Sequence, residues 1–510
     1  LIHIGSNREP SGKRHSRPCV AAAHPVNAVE AGSPSGQFTV AAHLVTVSAA
    51  THRAVTAFAR VATLESRAMN MIRALCTGLL CLAMSLAIAG GTSAPAEPPG
   101  TPPVSLSARK VYEQARSQLV QIRTVLKGRA SQTSVGSGFI VSEEGHVITN
   151  FHVVSEVALE PETHDLLYVT ADGREAPLQI LMLDVPHDLA LLRMAPDPEA
   201  SPAALQALSF RPARQTLAQG ERMYSLGNPL DVGFAVIEGN YNGLVERSFY
   251  PQIFFSGSLS SGMSGGPALD QEGRVIGVNV ARRVDGEQVS FLVPAAYAAE
   301  LLERGRRAPP MKGPADNEIT RQLLEHQARL TERFIAQGWK TATHPDYKVP
   351  VPPDRFMRCW GSTERSRTGG LDFERSDCVM ETRIFVGRFT TGAISVRHES
   401  YDGSKLGTLR FAARHAQSFR NESFDRLRGD LMTKPQCHED FIQREHLPMR
   451  AVVCMRAYKK LPKLYDVAVL VATLDRNQAG VQGRFDAHGV SFDNALRLTR
   501  HYLDAYGVAP

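Results

Sequence analysis

The stretch Ser261-Gly262-Met263-Ser264-Gly265-Gly266-Pro267 sets a serine among three glycines and ends on a proline. Glycine takes up backbone conformations that a side chain obstructs, so the stretch reads as a tight turn carrying Ser264. In such a turn the N–H groups of Gly262 and Ser264 can converge on a developing oxyanion, and donors of this kind are commonly worth about 3 kcal/mol of barrier each. A serine hydroxyl is a poor nucleophile at neutral pH and needs a base to take its proton and a third group to hold that base. Two upstream segments offer them: His187-Asp188-Leu189-Ala190-Leu191-Leu192 and Thr149-Asn150-Phe151-His152-Val153-Val154. His152, Asp188 and Ser264 follow one another at separations of 36 and 76 residues, in an order used by one of several unrelated triad folds. Each segment alone has a plain structural reading: a histidine at a strand end, an aspartate ending a loop, a glycine turn. Their joint occurrence points to nucleophilic catalysis.

The surroundings read as strands. Ser134–Val141 and His146–Thr149 flank the turn signal Glu143-Glu144-Gly145, as in a β-hairpin, and a helical spacing from Ser105 puts Val111, Ala115 and Leu119 on one face. Together with the three triad segments, Gly136-Ser137-Gly138-Phe139-Ile140, Tyr224-Ser225-Leu226-Gly227-Asn228-Pro229 and Gly273-Arg274-Val275-Ile276-Gly277-Val278-Asn279 stand in the order expected of one family. Residues 105–308 resemble the protease domain of the HtrA (Do-like) family of trypsin-like serine proteases. The resemblance implies a mainly-β fold, two antiparallel six-stranded barrels with the active site between them. It also implies His152 as general base and acid, Asp188 as its orienting partner, Ser264 as nucleophile, and Gly262 with Ser264 as oxyanion donors.

Departures from the family pattern are informative. Met263 stands where trypsin-like digestive enzymes place an aspartate that pairs with a newly cleaved N-terminus, so activation by N-terminal insertion is not expected. HtrA enzymes usually carry a small polar residue there, which bears on the resting geometry of the oxyanion turn. The PDZ domain that follows the protease in the family is not recognisable. The base of the primary specificity pocket is expected from Ser256–Ser261 and the strand around Asn279–Ala281, and without an acidic residue in the first stretch a preference for Lys or Arg is not expected. Arg282, Arg283 and Asp285 read as a solvated turn.

The 510 residues exceed one ordinary domain, and 43% hydrophobic against 21% charged residues is a globular composition. The net charge of +6 lies mostly before residue 97: that segment holds eight Lys/Arg and three Asp/Glu, leaving 49 against 48 beyond it. A basic footprint for nucleic acid is therefore absent from the remainder. Ala74 to Ala96 is free of charge and follows Met69, Met71 and Arg73, with small residues at Ala87-Ile88-Ala89 and Ala94-Pro95-Ala96. Such a pattern is a secretory signal, here 69–96, which makes 1–68 an upstream extension and 97–104 a Pro-rich linker. An uncleaved 74–96 would instead anchor the chain in a membrane. Beyond the signal remain Cys359, Cys378, Cys437 and Cys454, an even number suited to an oxidising compartment. Of three possible pairings we favour Cys359 with Cys378 and Cys437 with Cys454; close zinc spacings are lacking.

Residues 309–510 read as an α+β domain of no recognised family. A helix is expected over Glu318–Gln337, capped by Asp316 or Asn317 and ended at Gly338, with Ile319, Leu323, Leu330 and Phe334 near one face. β-rich runs follow over 380–398 and 464–475, with a last helix over Phe492–Tyr506. His438, Glu439 and Asp440 beside Cys437 read as an exposed loop rather than a ligand cluster. The expectation for the whole is a periplasmic or secreted serine endopeptidase acting on proteins or peptides through an acyl-enzyme, without cofactor or metal, with envelope protein quality control as the role the resemblance suggests. A homo-oligomer is left open. The alternatives are a latent protease-like binding or scaffold protein and an esterase using the same triad.

Overall fold

The structure, a computed structural model, describes residues 104–129, 131–195, 205–282, 288–342, 344–353, 355–365, 370–419 and 431–509. The upstream extension, the signal segment with its possible anchor, the first part of the linker, Cys19, Cys76, Cys81, Arg283 and Asp285 lie outside these residues.

Ser105 caps helix α1 (Leu106–Ala115), its side chain accepting the N–H of Ala108. Leu119 is not on this helix, contrary to the spacing: a short 3-10 turn intervenes and Leu119 opens strand β1. Its side chain still enters the apolar cluster that holds Val111 and Ala115, which is why the spacing imitated one continuous helical face. Strands β1 (Leu119–Leu126), β2 (Gln132–Ile140), β3 (His146–Thr149), β4 (His164–Thr170), β5 (Glu175–Asp184) and β6 (Leu189–Met194) close a barrel in the order β1-β2-β3-β6-β5-β4. The expected hairpin is β2–β3, with Phe139 opposite Ile148 and Ile140 opposite Val147. Helix α2 (Phe151–Leu159) follows β3 directly.

A second closed barrel comprises β7 (Arg222–Gly227), β8 (Ala235–Leu244), β9 (Ile253–Phe255), β10 (Pro267–Leu269), β11 (Val275–Arg282) and β12 (Ser290–Pro294), ordered β10-β11-β12-β9-β8-β7. Each sheet closes on itself, and two such six-stranded barrels make the trypsin-like fold. Helix α3 (Ala295–Gly305) packs Ala298, Leu301 and Leu302 into the cluster with Leu119 and Phe139.

Helix α4 spans Asp316–Ala336, two residues earlier than expected at its start. Its N-cap position is Ala315, without a side-chain cap, while Asp316 and Glu318 lie in the first turn, where negative charge suits the helix dipole. Gly338, at φ +66°, follows its end. Then come β13 (Lys340–Ala342), β14 (Tyr347–Val351), β15 (Arg358–Glu364), β16 (Asp372–Val379), the hairpin β17 (Ile384–Val386) and β18 (Phe389–Thr391), β19 (Ile394–Asp402), helix α5 (Thr408–Ser418), β20 (Gln436–Arg444), β21 (Leu447–Ala457), β22 (Tyr465–Thr473), β23 (Ala479–Val490), helix α6 (Phe492–Leu503) and β24 (Gly507–Val508). Seven of these strands form an antiparallel sheet ordered β15-β16-β19-β23-β22-β21-β20, so the C-terminal region is α+β.

Each edge strand of that sheet is stapled to its neighbour. Disulfides join Cys359 to Cys378 and Cys437 to Cys454, both between residues directly opposite one another. His438, Glu439 and Asp440 are therefore not in a loop but in edge strand β20, where they are exposed because, among the described residues, no strand lies on its outer side. Among the described residues no group of three or more His, Cys, Asp and Glu is placed to hold a metal.

Two apolar clusters position the site. Leu330 and Phe334 of α4 pack with Val396, Val469, Phe485, Leu498 and Tyr502 between the sheet and α6. Ile319 and Leu323 of the same helix pack instead with Val153, Val154 and Ala158 of α2, and with Ile384, Val386 and Phe389 of the β17–β18 hairpin. One helix thus enters two cores, and the C-terminal region shares the apolar interior beneath the helix that carries His152.

Candidate active site

His152 lies in the first turn of α2, where backbone N–H groups lack intrahelical acceptors. Asp188, in the tight turn before β6, supplies one: its Oδ1 accepts the His152 N–H at 2.9 Å while its Oδ2 meets the His152 Nδ1 at 2.7 Å. The Asp188 carbonyl accepts the Phe151 N–H at 3.1 Å and the Asn150 amide at 2.9 Å. Asp188 makes these contacts from φ +55°, a left-handed conformation that costs a residue with a Cβ free energy and concentrates at functional positions. The imidazole keeps 26% of its side-chain surface exposed. Burial disfavours its charged form, but the charge and hydrogen bond of Asp188 outweigh that, and the His152 pKa is raised above the ordinary histidine value.

The Ser264 turn is built from positions where only glycine fits. At Gly262, φ is +91° and a Cβ would lie 2.4 Å from the Asn228 carbonyl oxygen. At Gly265, φ is +83° and a Cβ would lie 2.2 Å from Thr149 Oγ1. Met263, fully buried, packs with Leu259, Phe255 and Leu292, so an apolar side chain anchors the turn from within the second barrel instead of an ion pair. Asn279 pins it from below: its amide donates to the carbonyls of Leu226 at 2.9 Å and Met263 at 3.2 Å, and its Oδ1 accepts from Ser225 Oγ at 2.7 Å. Ser137 ties it to the first barrel, donating from Oγ to the Gly262 carbonyl at 2.7 Å and from N–H to the Ser264 carbonyl at 2.7 Å. Ser264 Oγ donates its one proton to the Val280 carbonyl at 2.9 Å, not to His152.

The stretch expected to base the specificity pocket is closed by Ser290, which donates from Oγ to the Gly257 carbonyl at 2.7 Å and accepts the Leu259 N–H at 3.1 Å. A separate cavity of about 230 Å³ lies beside Asp188, lined by His187, Tyr250, Val280, Phe291 and, from the C-terminal region, Phe385 among others. The Phe385 ring lies 5.7 Å from that of His152. Sequence reasoning named neither Asn279 nor Ser137 as a support of the turn, and missed Phe385 altogether.

A histidine held by a carboxylate in one barrel and a serine turn in the other stand on two closed six-stranded barrels, a trypsin-like fold. Residues 136–278 match the family described as trypsin-like peptidase domain. The chain is similar to proteins named as HtrA and DegP-like serine proteases. It is 30% identical over 213 residues to a protein of Halomonas elongata named "Probable periplasmic serine endoprotease DegP-like", and 32% identical over 188 residues to the mitochondrial serine protease HTRA2 of Drosophila ananassae. These matches cover 40% and 35% of this chain and 40% of each relative, so the chain spans well under half the length of the relatives it matches. A solved structure, the serine endoprotease from Yersinia pestis, is 22% identical with a TM-score of 0.34, covering 40% of this chain and 68% of that one.

Proposed function

We propose that the chain is a serine endopeptidase in which Ser264 attacks the peptide carbonyl, His152 takes and returns the proton, Asp188 holds the imidazolium, and the N–H groups of Gly262 and Ser264 receive the oxyanion. The observation that carries this reading is the double grip of Asp188 on His152, which fixes the ring's tautomer with Nε2 available as base. The bond from Ser264 Oγ to the Val280 carbonyl favours a resting state awaiting substrate. A substrate N–H arriving at that carbonyl would displace the hydroxyl and free it to turn toward His152.

The organisation that goes with this reading is an exported chain with a peptidase domain at 105–308 and a second domain at 309–510. Export is supported by the signal pattern and by the two disulfides, which persist in oxidising compartments. Clearing damaged envelope proteins is the task that the resemblance to the HtrA family suggests, and a similar protein named as a probable periplasmic serine endoprotease supports the compartment. Incubation with casein and with a simple ester tests the activity. Peptide products that Ser264→Ala and His152→Ala do not form support the endopeptidase; ester turnover with intact casein indicates an esterase; neither activity indicates a latent binding protein.

A further inference from the structure

The β17–β18 hairpin comes from the C-terminal region but is bolted to the helix of His152. Ile384, Val386 and Phe389 enter the cluster with Val153, Val154 and Ala158. Side chains alternate along a strand, so Phe385, between Ile384 and Val386, points to the opposite face. It is 39% exposed, with its ring tilted against that of His152. Two further bonds hold the segment: His326 Nε2 with the Gly392 carbonyl at 2.9 Å, and Ser248 Oγ with Thr382 Oγ1 at 2.8 Å. A large apolar ring is thus fixed, partly exposed, beside the candidate base.

The cavity that Phe385 borders is the one next to Asp188, with Tyr250, Val280, Phe291 and Val293 among its other apolar walls. The exposed Glu381 and Arg383 also line it. Strand β10 pairs with β11 no further than Val278; from Val280 onward, among the described residues, β11 has no strand neighbour on the side of Ser264, and the Val280 carbonyl there accepts the Ser264 hydroxyl. An extended polypeptide can add to such an edge through its backbone, with alternate side chains entering pockets. Held by its N–H at the Val280 carbonyl and by its scissile carbonyl at the Gly262 and Ser264 donors, that polypeptide would carry its preceding residues along β11 and past the cavity.

We propose that Phe385 is a specificity-determining residue of the peptidase, closing a pocket that takes an apolar side chain from the three residues before the scissile bond. The C-terminal region then completes the substrate site. This rests on the endopeptidase reading above, and the test separates the two.

The full-length protein is assayed on internally quenched peptides that differ only at those three positions, and kcat/KM is compared for leucine against alanine at each. A pocket of this kind discriminates by about tenfold or more. Phe385→Ala, which removes the wall, is expected to reduce the leucine preference at one position severalfold; Phe385→Trp, which narrows the pocket, is expected to shift it toward the smaller side chain. Opposite shifts are not the signature of a residue that merely supports the fold. Ratios unchanged in both variants, with wild-type peptides cleaved, overturn the proposal and leave the endopeptidase standing. A wild type that neither cleaves any peptide nor reacts with a fluorophosphonate at Ser264 overturns the endopeptidase reading, and this proposal with it.

Discussion

Asp188 holds His152 at two points, accepting its backbone N–H at 2.9 Å with one carboxylate oxygen and facing its Nδ1 at 2.7 Å with the other. One residue therefore fixes both the start of the helix and the orientation of the ring it carries. Replacement by asparagine keeps the shape but removes the charge and the acceptor that select the tautomer, so Asp188→Asn is expected to lower kcat by about 10⁴-fold with the fold retained. Equal turnover by variant and wild type, with matching circular dichroism, contradicts this role.

The pH profile follows from the same pair. A general base acts when neutral, so activity is expected to rise with pH through the His152 pKa. Because that pKa is raised, the rise falls at higher pH than for an ordinary histidine. In the Asp188→Asn variant the charge that favours the imidazolium is gone, and the inflection of residual kcat/KM moves to lower pH. An inflection that stays in place identifies a different titrating group.

How much of this was legible in the sequence depends on the range over which each feature is encoded. His152, Asp188 and Ser264 sit in contiguous motifs whose glycines and flanking apolar residues have local causes, so their chemistry could be suspected one segment at a time. Ser137 supports Gly262 from 125 residues away: its motif Gly136–Ile140 carries the resemblance, but nothing local in it marks that bond. Phe385 is one of 21 phenylalanines, and its place beside His152 arises only because the helix Asp316–Ala336 enters two cores and brings the C-terminal region back onto the first barrel. Leu119 misled because burial in one cluster imitates helical periodicity, and His438–Asp440 misled because an exposed edge strand is as polar as a loop.

Asn279 is fully buried, and its side chain makes three hydrogen bonds beneath the serine turn. Asn279→Ala leaves the Leu226 and Met263 carbonyls without these donors, a loss of about 1–3 kcal/mol. Urea denaturation is expected to show it as a lower midpoint at unchanged slope. A midpoint equal to that of the wild type contradicts the support assigned to this residue.

Gly262→Ala places a Cβ against the Asn228 carbonyl in a backbone conformation that L side chains rarely adopt. Relief of that clash has to move the Gly262 N–H, and loss of one oxyanion donor is expected to cost about 10²–10³-fold in kcat. Wild-type turnover by this variant shows that the oxyanion forms elsewhere.

The disulfides close loops with sequence separations of 19 and 17 residues on the two edges of the C-terminal sheet. Removing either is expected to destabilise that sheet by about 2–5 kcal/mol. Thermal unfolding with and without reductant measures this, and identical transitions contradict it.

The most direct test of the central claim is covalent labelling with a fluorophosphonate probe, followed by mapping of the modified residue. The wild type is expected to be labelled at Ser264, with labelling lost in Ser264→Ala and strongly reduced in His152→Ala. Failure of the wild type to label, or labelling that persists in Ser264→Ala, contradicts an activated nucleophile at this serine.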